Sequence, residues 1–134
     1  MSTIPQELNW VEKRAACTSD TIFPQLVNGI KEDIKARNAI SSGTTFAAEL
    51  TNNKSALVIG EIGTWAREER VRIFPLGNKI EVRDEIKAAK FSAEVFLNDE
   101  GRCKLRLEGG VELEQWQFRR MALESLFFGI KEQP

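Results

Sequence analysis

The chain has 134 residues, of which 42% are hydrophobic and 29% charged, as expected for one globular domain (residues 1–134) with a substantial core. Its 19 basic and 20 acidic side chains are interspersed and leave a formal net charge of −1, which disfavours a dedicated binder of nucleic acid. Histidine is absent, which removes the usual general acid/base and the commonest metal ligand.

The N-terminal residues and the cysteines bear on the cellular compartment. The first ten residues lack the basic segment and apolar run of a signal peptide, and no apolar stretch approaches the length of a membrane helix. Cys17 and Cys103 lie far apart and form no CxxC pair, which predicts two free thiols buried as small hydrophobic side chains. We therefore expect a cytoplasmic protein with no bound metal or other cofactor and no attachment to a membrane.

The first third of the chain has helical spacing of its apolar residues. Pro24 follows a run of residues that favour N-caps, residues 18–21, and cannot donate a helical hydrogen bond. The pattern predicts two helices, at about residues 5–18 and 22–38, or one helix kinked between them.

The middle of the chain predicts three antiparallel hairpins. The first turns at Asn52-Asn53, which pairs Leu50 with Ser55 and Phe46 with Ile59. The second has two alternatives. A four-residue loop, residues 75–78, places Arg72 opposite Glu81, whereas a two-residue loop, residues 77–78, places Arg72 opposite Arg83 and Val71 opposite Asp84. We favour the four-residue loop because it pairs opposite charges and keeps an aspartate from facing a valine.

The third hairpin and the last helix complete the predicted fold. A three-residue loop, Asp99 to Gly101, pairs Leu97 with Cys103 and Glu94 with Arg106. A helix follows at about residues 111–128. The sequence thus predicts an α+β two-layer sandwich with one or two N-terminal helices, a six-stranded antiparallel meander and a C-terminal helix. This order of elements also occurs in frataxin-like domains and, more loosely, in secretion-chaperone folds; a shared order implies an architecture and no function.

The C-terminal helix is the first candidate site, because its second half is apolar most of the way round. One interpretation is an interface with a partner protein or a second copy of the chain, since aromatic, methionine and arginine residues are enriched at interface centres. The other is a helix buried from both sides, which we slightly favour. The candidate partner-binding residues are Trp116, Phe118, Arg119, Arg120, Met121, Phe127 and Phe128.

The face of the sheet turned away from the core is the second candidate site. Arginines interleaved with phenylalanines could stack bases or hold an anionic ligand. A solvated face with cross-strand ion pairs is the simpler interpretation, because glutamates alternate with the arginines. The candidate ligand-binding residues are Arg72, Phe74, Arg83, Phe96, Lys104 and Arg106.

Catalysis has little support in the sequence. There is no GxSxG, no Walker motif and no zinc-binding spacing of Cys and His. Our leading hypothesis is therefore a small cytoplasmic protein-interaction module of chaperone, immunity or adaptor type, among which the sequence does not choose. The alternatives are a binder of a small anionic ligand or single-stranded nucleic acid on the open sheet face, and a carboxylate-based enzyme.

Overall fold

The computed structural model describes residues 9–40, 43, 45–51, 53–62, 70–85 and 89–129. Three helices and one antiparallel sheet make up this part of the chain, in the α+β order that the sequence predicts. In chain order the elements are α1 (Trp10–Ala15), α2 (Ser19–Ala39), β1 (Phe46–Leu50), β2 (Leu57–Glu61), β3 (Arg70–Leu76), β4 (Lys79–Asp84), β5 (Ala89–Leu97), β6 (Cys103–Leu107), β7 (Glu112–Leu113) and α3 (Gln115–Phe128).

Two separate helices open the described chain, as one of the two predicted alternatives has it. The side chain of Thr18 accepts a hydrogen bond from the backbone N–H of Thr21 and caps α2, so Pro24 lies inside the helix rather than before it. The first helix ends at Ala15, earlier than expected, and the predicted helical residues 5–8 lie outside the described residues.

The seven strands lie side by side in chain order, from β1 to β7. The predicted meander is confirmed, but the count of six strands is wrong by one. The extra strand, β7, consists of Glu112 and Leu113, which the predicted last helix, at about residues 111–128, wrongly included. That helix begins only at Gln115, where the side chain of Gln117 accepts a hydrogen bond from the backbone N–H of Glu114.

Loop length decides the register of the hairpins. The predicted register of the third hairpin is confirmed, with Gly101 at a positive φ of 80°. The predicted register of the first is wrong by two residues, since Leu50 pairs with Leu57. Its loop is longer than two residues because Lys54 turns the chain at a φ of 59° and Thr51 bonds to Ala56 across the loop's base.

The second hairpin adopts the two-residue loop that we disfavoured. Arg72 faces Arg83, and Val71 faces Asp84. Gly77, the first loop residue, has a φ of 61°, which suits a glycine-first hairpin turn. Contacts from elsewhere hold this turn: the hydroxyl of Ser19 donates to the carbonyl of Gly77 at 2.6 Å, and the side-chain amide of Asn78 donates to the carbonyl of Val95 at 2.8 Å.

Helices α2 and α3 cover one face of the sheet and enclose the core. Three contacts join the two helices along their length: Gln25 to Gln115, Asp33 to Arg119, and Arg37 to the carbonyl of Phe127. Because residue numbers rise together along both helices, α2 and α3 run in the same direction. The most deeply buried large side chains are Phe118, Leu26, Ile30, Leu57, Ile59, Ile73, Ile80, Leu105 and Leu123.

A disulfide joins Cys17, just after α1, to Cys103 at the start of β6, with Cα atoms 5.4 Å apart. The prediction of two free thiols is therefore wrong, although Cys103 does pack against the core as expected. Spacing along the sequence could not reveal the pair, because 86 residues separate the two cysteines. Helix α1 has no buried residue, so this crosslink is its main attachment to the sheet.

The side chain of Asn38, near the end of α2, bonds to both backbone groups of Phe46. Its amide nitrogen donates to the carbonyl of Phe46 at 3.1 Å, and its amide oxygen accepts from the N–H of Phe46 at 2.9 Å. The backbone groups of Thr45 and Thr51 form hydrogen bonds across the β1–β2 pair. Because successive residues of an antiparallel strand alternate in this respect, the N–H and C=O of Phe46 point away from β2 and out of the sheet. Asn38 therefore satisfies backbone groups that none of the described strands reaches.

Candidate functional site

The aromatic residues of α3 divide into a buried and an exposed set. Phe118 is 1% exposed and meets Phe91 edge to face, and Phe127 packs on Phe46 at a centroid distance of 5.0 Å. Trp116 and Phe128, in contrast, are 55% and 61% exposed, and Met121 is exposed as well. The expectation that this helix is buried from both sides is therefore wrong, because α2 and the sheet cover only one of its faces.

A groove runs between α2 and α3 on the side of the helices away from the sheet. We call it the α2–α3 groove. Its volume is about 450 Å³. Ala36, Leu123 and Phe127 contribute apolar surface to it, and the exposed side chains of Ile40 and Phe128 are among its lining residues. The rest of the lining is Asp33, Arg37, Trp116, Arg119, Arg120 and Glu124.

Arg37 holds the ends of the two helices together. Its Nε donates to the carbonyl of Phe127 at 2.7 Å, and its guanidinium lies 5.2 Å from the ring centroids of both Phe46 and Phe128. These contacts are hydrogen bonding and cation–π attraction, and neither neutralises the charge. Among the ion pairs formed within the described residues, none involves Arg37.

The other two arginines of the groove are paired with carboxylates. Arg119 reaches across α2 to Asp33, with Nε 2.6 Å from Oδ2, and Arg120 pairs with Glu124 one turn along α3 at 3.2 Å. Gly29 lies where Arg119 crosses, since a Cβ built on it would stand 2.6 Å from a guanidinium nitrogen. The rim thus carries three cations and two anions, and the positive excess is Arg37.

The six candidate residues of the open sheet face do lie on one face, but three of them, Arg83, Lys104 and Arg106, form ion pairs with glutamates. Arg106 pairs with Glu94 at 3.0 Å, and its guanidinium stacks 4.0 Å from the ring centroid of Phe96. Lys104 forms an ion pair with Glu114. The hydrogen bond and charge of Lys104 lower the pKa of Glu114 below its usual 4.5, against a smaller opposing effect of desolvation.

The remaining part of the open face is more basic than the predicted register implies. Arg72, Arg83 and Lys90 stand opposite one another on β3, β4 and β5. The prediction placed Arg72 opposite Glu81 because it chose the wrong loop for the second hairpin, and it left out Lys90. The alternation that places Glu94 and Phe96 on the open face also places Lys90 there, so Lys90 could have been found from the pattern of β5 alone.

The groove residues Asp33, Arg37 and Ile40 were also missed. All three belong to α2, and their proximity to α3 depends on how the two helices pack. In the described ranges no group of three His, Cys, Asp or Glu side chains is placed to hold a metal ion. None of the helices described is long and apolar enough to cross a membrane.

Comparison with protein-family models, curated proteins and solved structures finds no match to this chain. The chemistry of the two surfaces is therefore the available indication of function.

Proposed function

We propose that this protein is a non-catalytic interaction module that binds a segment of a partner protein in the α2–α3 groove. The observation that carries the proposal is the exposure of Trp116 and Phe128 at a groove with apolar surface. Exposed aromatic residues near a concave apolar surface are typical of sites where a few anchoring side chains supply most of the binding energy.

The charges of the groove favour a partner segment with an acidic side chain. Arg119 and Arg120 already have carboxylate partners, whereas Arg37 has a carbonyl and two aromatic rings. A carboxylate from the partner would complement the charge of Arg37. A concave surface also favours a convex occupant, such as one face of an amphipathic helix, over a second copy presenting the same groove.

The experiment is selection of peptides from a displayed random library on the folded protein. We expect the selected peptides to carry apolar residues at helical spacing together with an aspartate or glutamate. Their binding should fall about tenfold or more with Trp116→Ala or Phe128→Ala, as at other aromatic anchors. Binding should also weaken as salt rises, because an exposed charge pair contributes to it.

Trp10→Ala is the matched control, because Trp10 is 64% exposed but lies on α1 and does not line the groove. If Trp10→Ala weakens binding equally, the peptides bind exposed aromatic residues in general and not the groove. Failure to select any peptide above the Trp116→Ala background would contradict the proposal, as would a Trp116-dependent dimer that forms in place of peptide binding.

The cytoplasmic location stays a prediction. The Cys17–Cys103 disulfide weighs against it, because disulfides persist in oxidising compartments and are rare in the reducing cytosol. Rapid alkylation of the protein in its native cells, followed by mass measurement, decides between them. Labelling of both cysteines supports the cytoplasm, and absence of labelling until reduction supports an oxidising compartment.

A further inference from the structure

Three cationic side chains stand next to one another on the open face of the sheet. Arg72 on β3 is opposite Arg83 on β4, which in turn is opposite Lys90 on β5. Directly opposed side chains on antiparallel strands have Cβ atoms about 4.5–5.5 Å apart, and like charges at that spacing destabilise a sheet. The row therefore costs folding free energy in the absence of a counter-charge.

The carboxylates nearby offset this charge only in part. Glu81 accepts a hydrogen bond from Nε of Arg83 at 2.8 Å, and Glu49 stands at the far end of the row, beyond Val58. Arg72 takes part in none of the ion pairs within the described residues. Its Nε is buried and has no hydrogen-bond partner there.

Two neighbours extend the basic row. Arg70 lies on the same face of β3, and its Nε is likewise buried without a partner in the described chain. Glu85, just after β4, stands across from Arg70, and its Oε1 is also buried without a partner there. Phe74 supplies an aromatic surface, since the guanidinium of Arg83 lies 5.2 Å from its ring centroid. Unpartnered guanidinium N–H groups beside a row of cations are what an oxyanion would satisfy.

We propose that Arg72, Arg83 and Lys90 form a binding site for a phosphate group. The planar guanidinium of Arg72 would hold two phosphate oxygens at once, and Lys90 would add a point charge on the other side of Arg83. The phosphate could belong to a small free ligand or to the backbone of a single-stranded nucleic acid. The site lies on the opposite layer from the α2–α3 groove and does not depend on the function proposed there.

The experiment is titration of the protein with pyrophosphate and, separately, with a short oligothymidylate, observed by NMR at low chloride concentration. We expect the backbone signals of β3 to β5 to shift, and Arg72→Gln or Lys90→Gln to weaken binding by about tenfold. Lys79→Gln is the matched control, because Lys79 is an exposed lysine on β4 outside the row. It should change affinity by less than about twofold.

A second measurement separates a binding role from a structural one. Without phosphate, Arg72→Gln should leave the melting temperature unchanged or raise it, because the substitution relieves repulsion. Pyrophosphate binding that depends on Arg72 supports a free ligand, and binding of the oligonucleotide alone supports a nucleic-acid backbone. The proposal is overturned if neither probe binds, or if Lys79→Gln weakens binding as much as Arg72→Gln.

Discussion

Gly29, in the middle of α2, leaves room for the side chain of Arg119. A glycine inside a helix costs about 1 kcal/mol relative to alanine. At this position, however, a Cβ would stand 2.6 Å from a guanidinium nitrogen of Arg119. The absence of a side chain lets Arg119 cross the helix and pair with Asp33 one turn further on, which fixes how α3 lies against α2.

The first prediction concerns the coupling between Gly29 and this ion pair. Gly29→Ala should change the free energy of unfolding by less than about 1 kcal/mol, since the gain in helix propensity offsets the loss of a partly buried ion pair. Asp33→Asn should then destabilise the native sequence but have almost no effect in the Gly29→Ala background. Urea denaturation of the four proteins measures this coupling, and an equal cost of Asp33→Asn in both backgrounds would contradict it.

The second prediction distinguishes the two aromatic sets of α3. Phe118→Ala should cost about 3–5 kcal/mol, because it empties a fully buried position against Phe91. Trp116→Ala should cost less than about 1 kcal/mol, because more than half of this side chain is already in water. Thermal denaturation of both variants checks the difference. A large loss of stability with Trp116→Ala would mean that Trp116 belongs to the core and would contradict the prediction.

In the hairpins, the amino-acid pattern specifies which face of a strand is buried but not which residues pair across strands. Alternation of apolar and polar residues predicted the buried face of β1 to β6. The first two registers were wrong by two residues, and an even shift leaves every side chain on the same face while changing its cross-strand partner. The deciding contacts are long-range for the second hairpin, where Ser19 and Val95 hold the turn. No local pattern encodes them.

The third prediction concerns the start of α3 and acidity. Because the pKa of Glu114 is lower when folded, the unfolded chain binds the proton more readily. The stabilisation from the Lys104–Glu114 pair is complete above the usual value of 4.5 and is lost as the pH falls through the lowered pKa. Glu114→Gln should therefore flatten the fall in stability over that acidic range. Glu100→Gln, in an exposed turn, is the control and should leave the slope unchanged.

On the scale of the whole molecule, the Cys17–Cys103 bond joins the segment before α2 to β6, the sixth strand of a sheet whose strands pair in chain order. Every strand pairs with its neighbours in the chain, whereas this bond closes a loop with a sequence separation of 86. The α2–α3 groove likewise brings together residues that lie far apart in the sequence. The pattern of α3 pointed to Trp116 and Phe128, but Arg37 and Ile40 joined them only through the parallel packing of α2 on α3.

The fourth prediction concerns reduction of the disulfide. A crosslink over so long a loop contributes on the order of 4 kcal/mol by limiting the unfolded chain. A reductant should lower the melting temperature of the native protein and have no effect on the double variant Cys17→Ala with Cys103→Ala. Unchanged melting of the native protein on reduction would mean that the crosslink contributes nothing to stability.

The bond between Asn38 and Phe46 also affects how the protein behaves in a crowded solution. Within the described residues, this sheet of seven sequential strands has two open edges, β1 and β7, and an open edge can recruit strands from other molecules. The edge at β7 is only two residues long and offers few free backbone groups. At β1 the amide of Asn38 occupies both outward-facing groups of Phe46, as a further strand would. Asn38 thus blocks the addition of a foreign strand at the start of the longer edge.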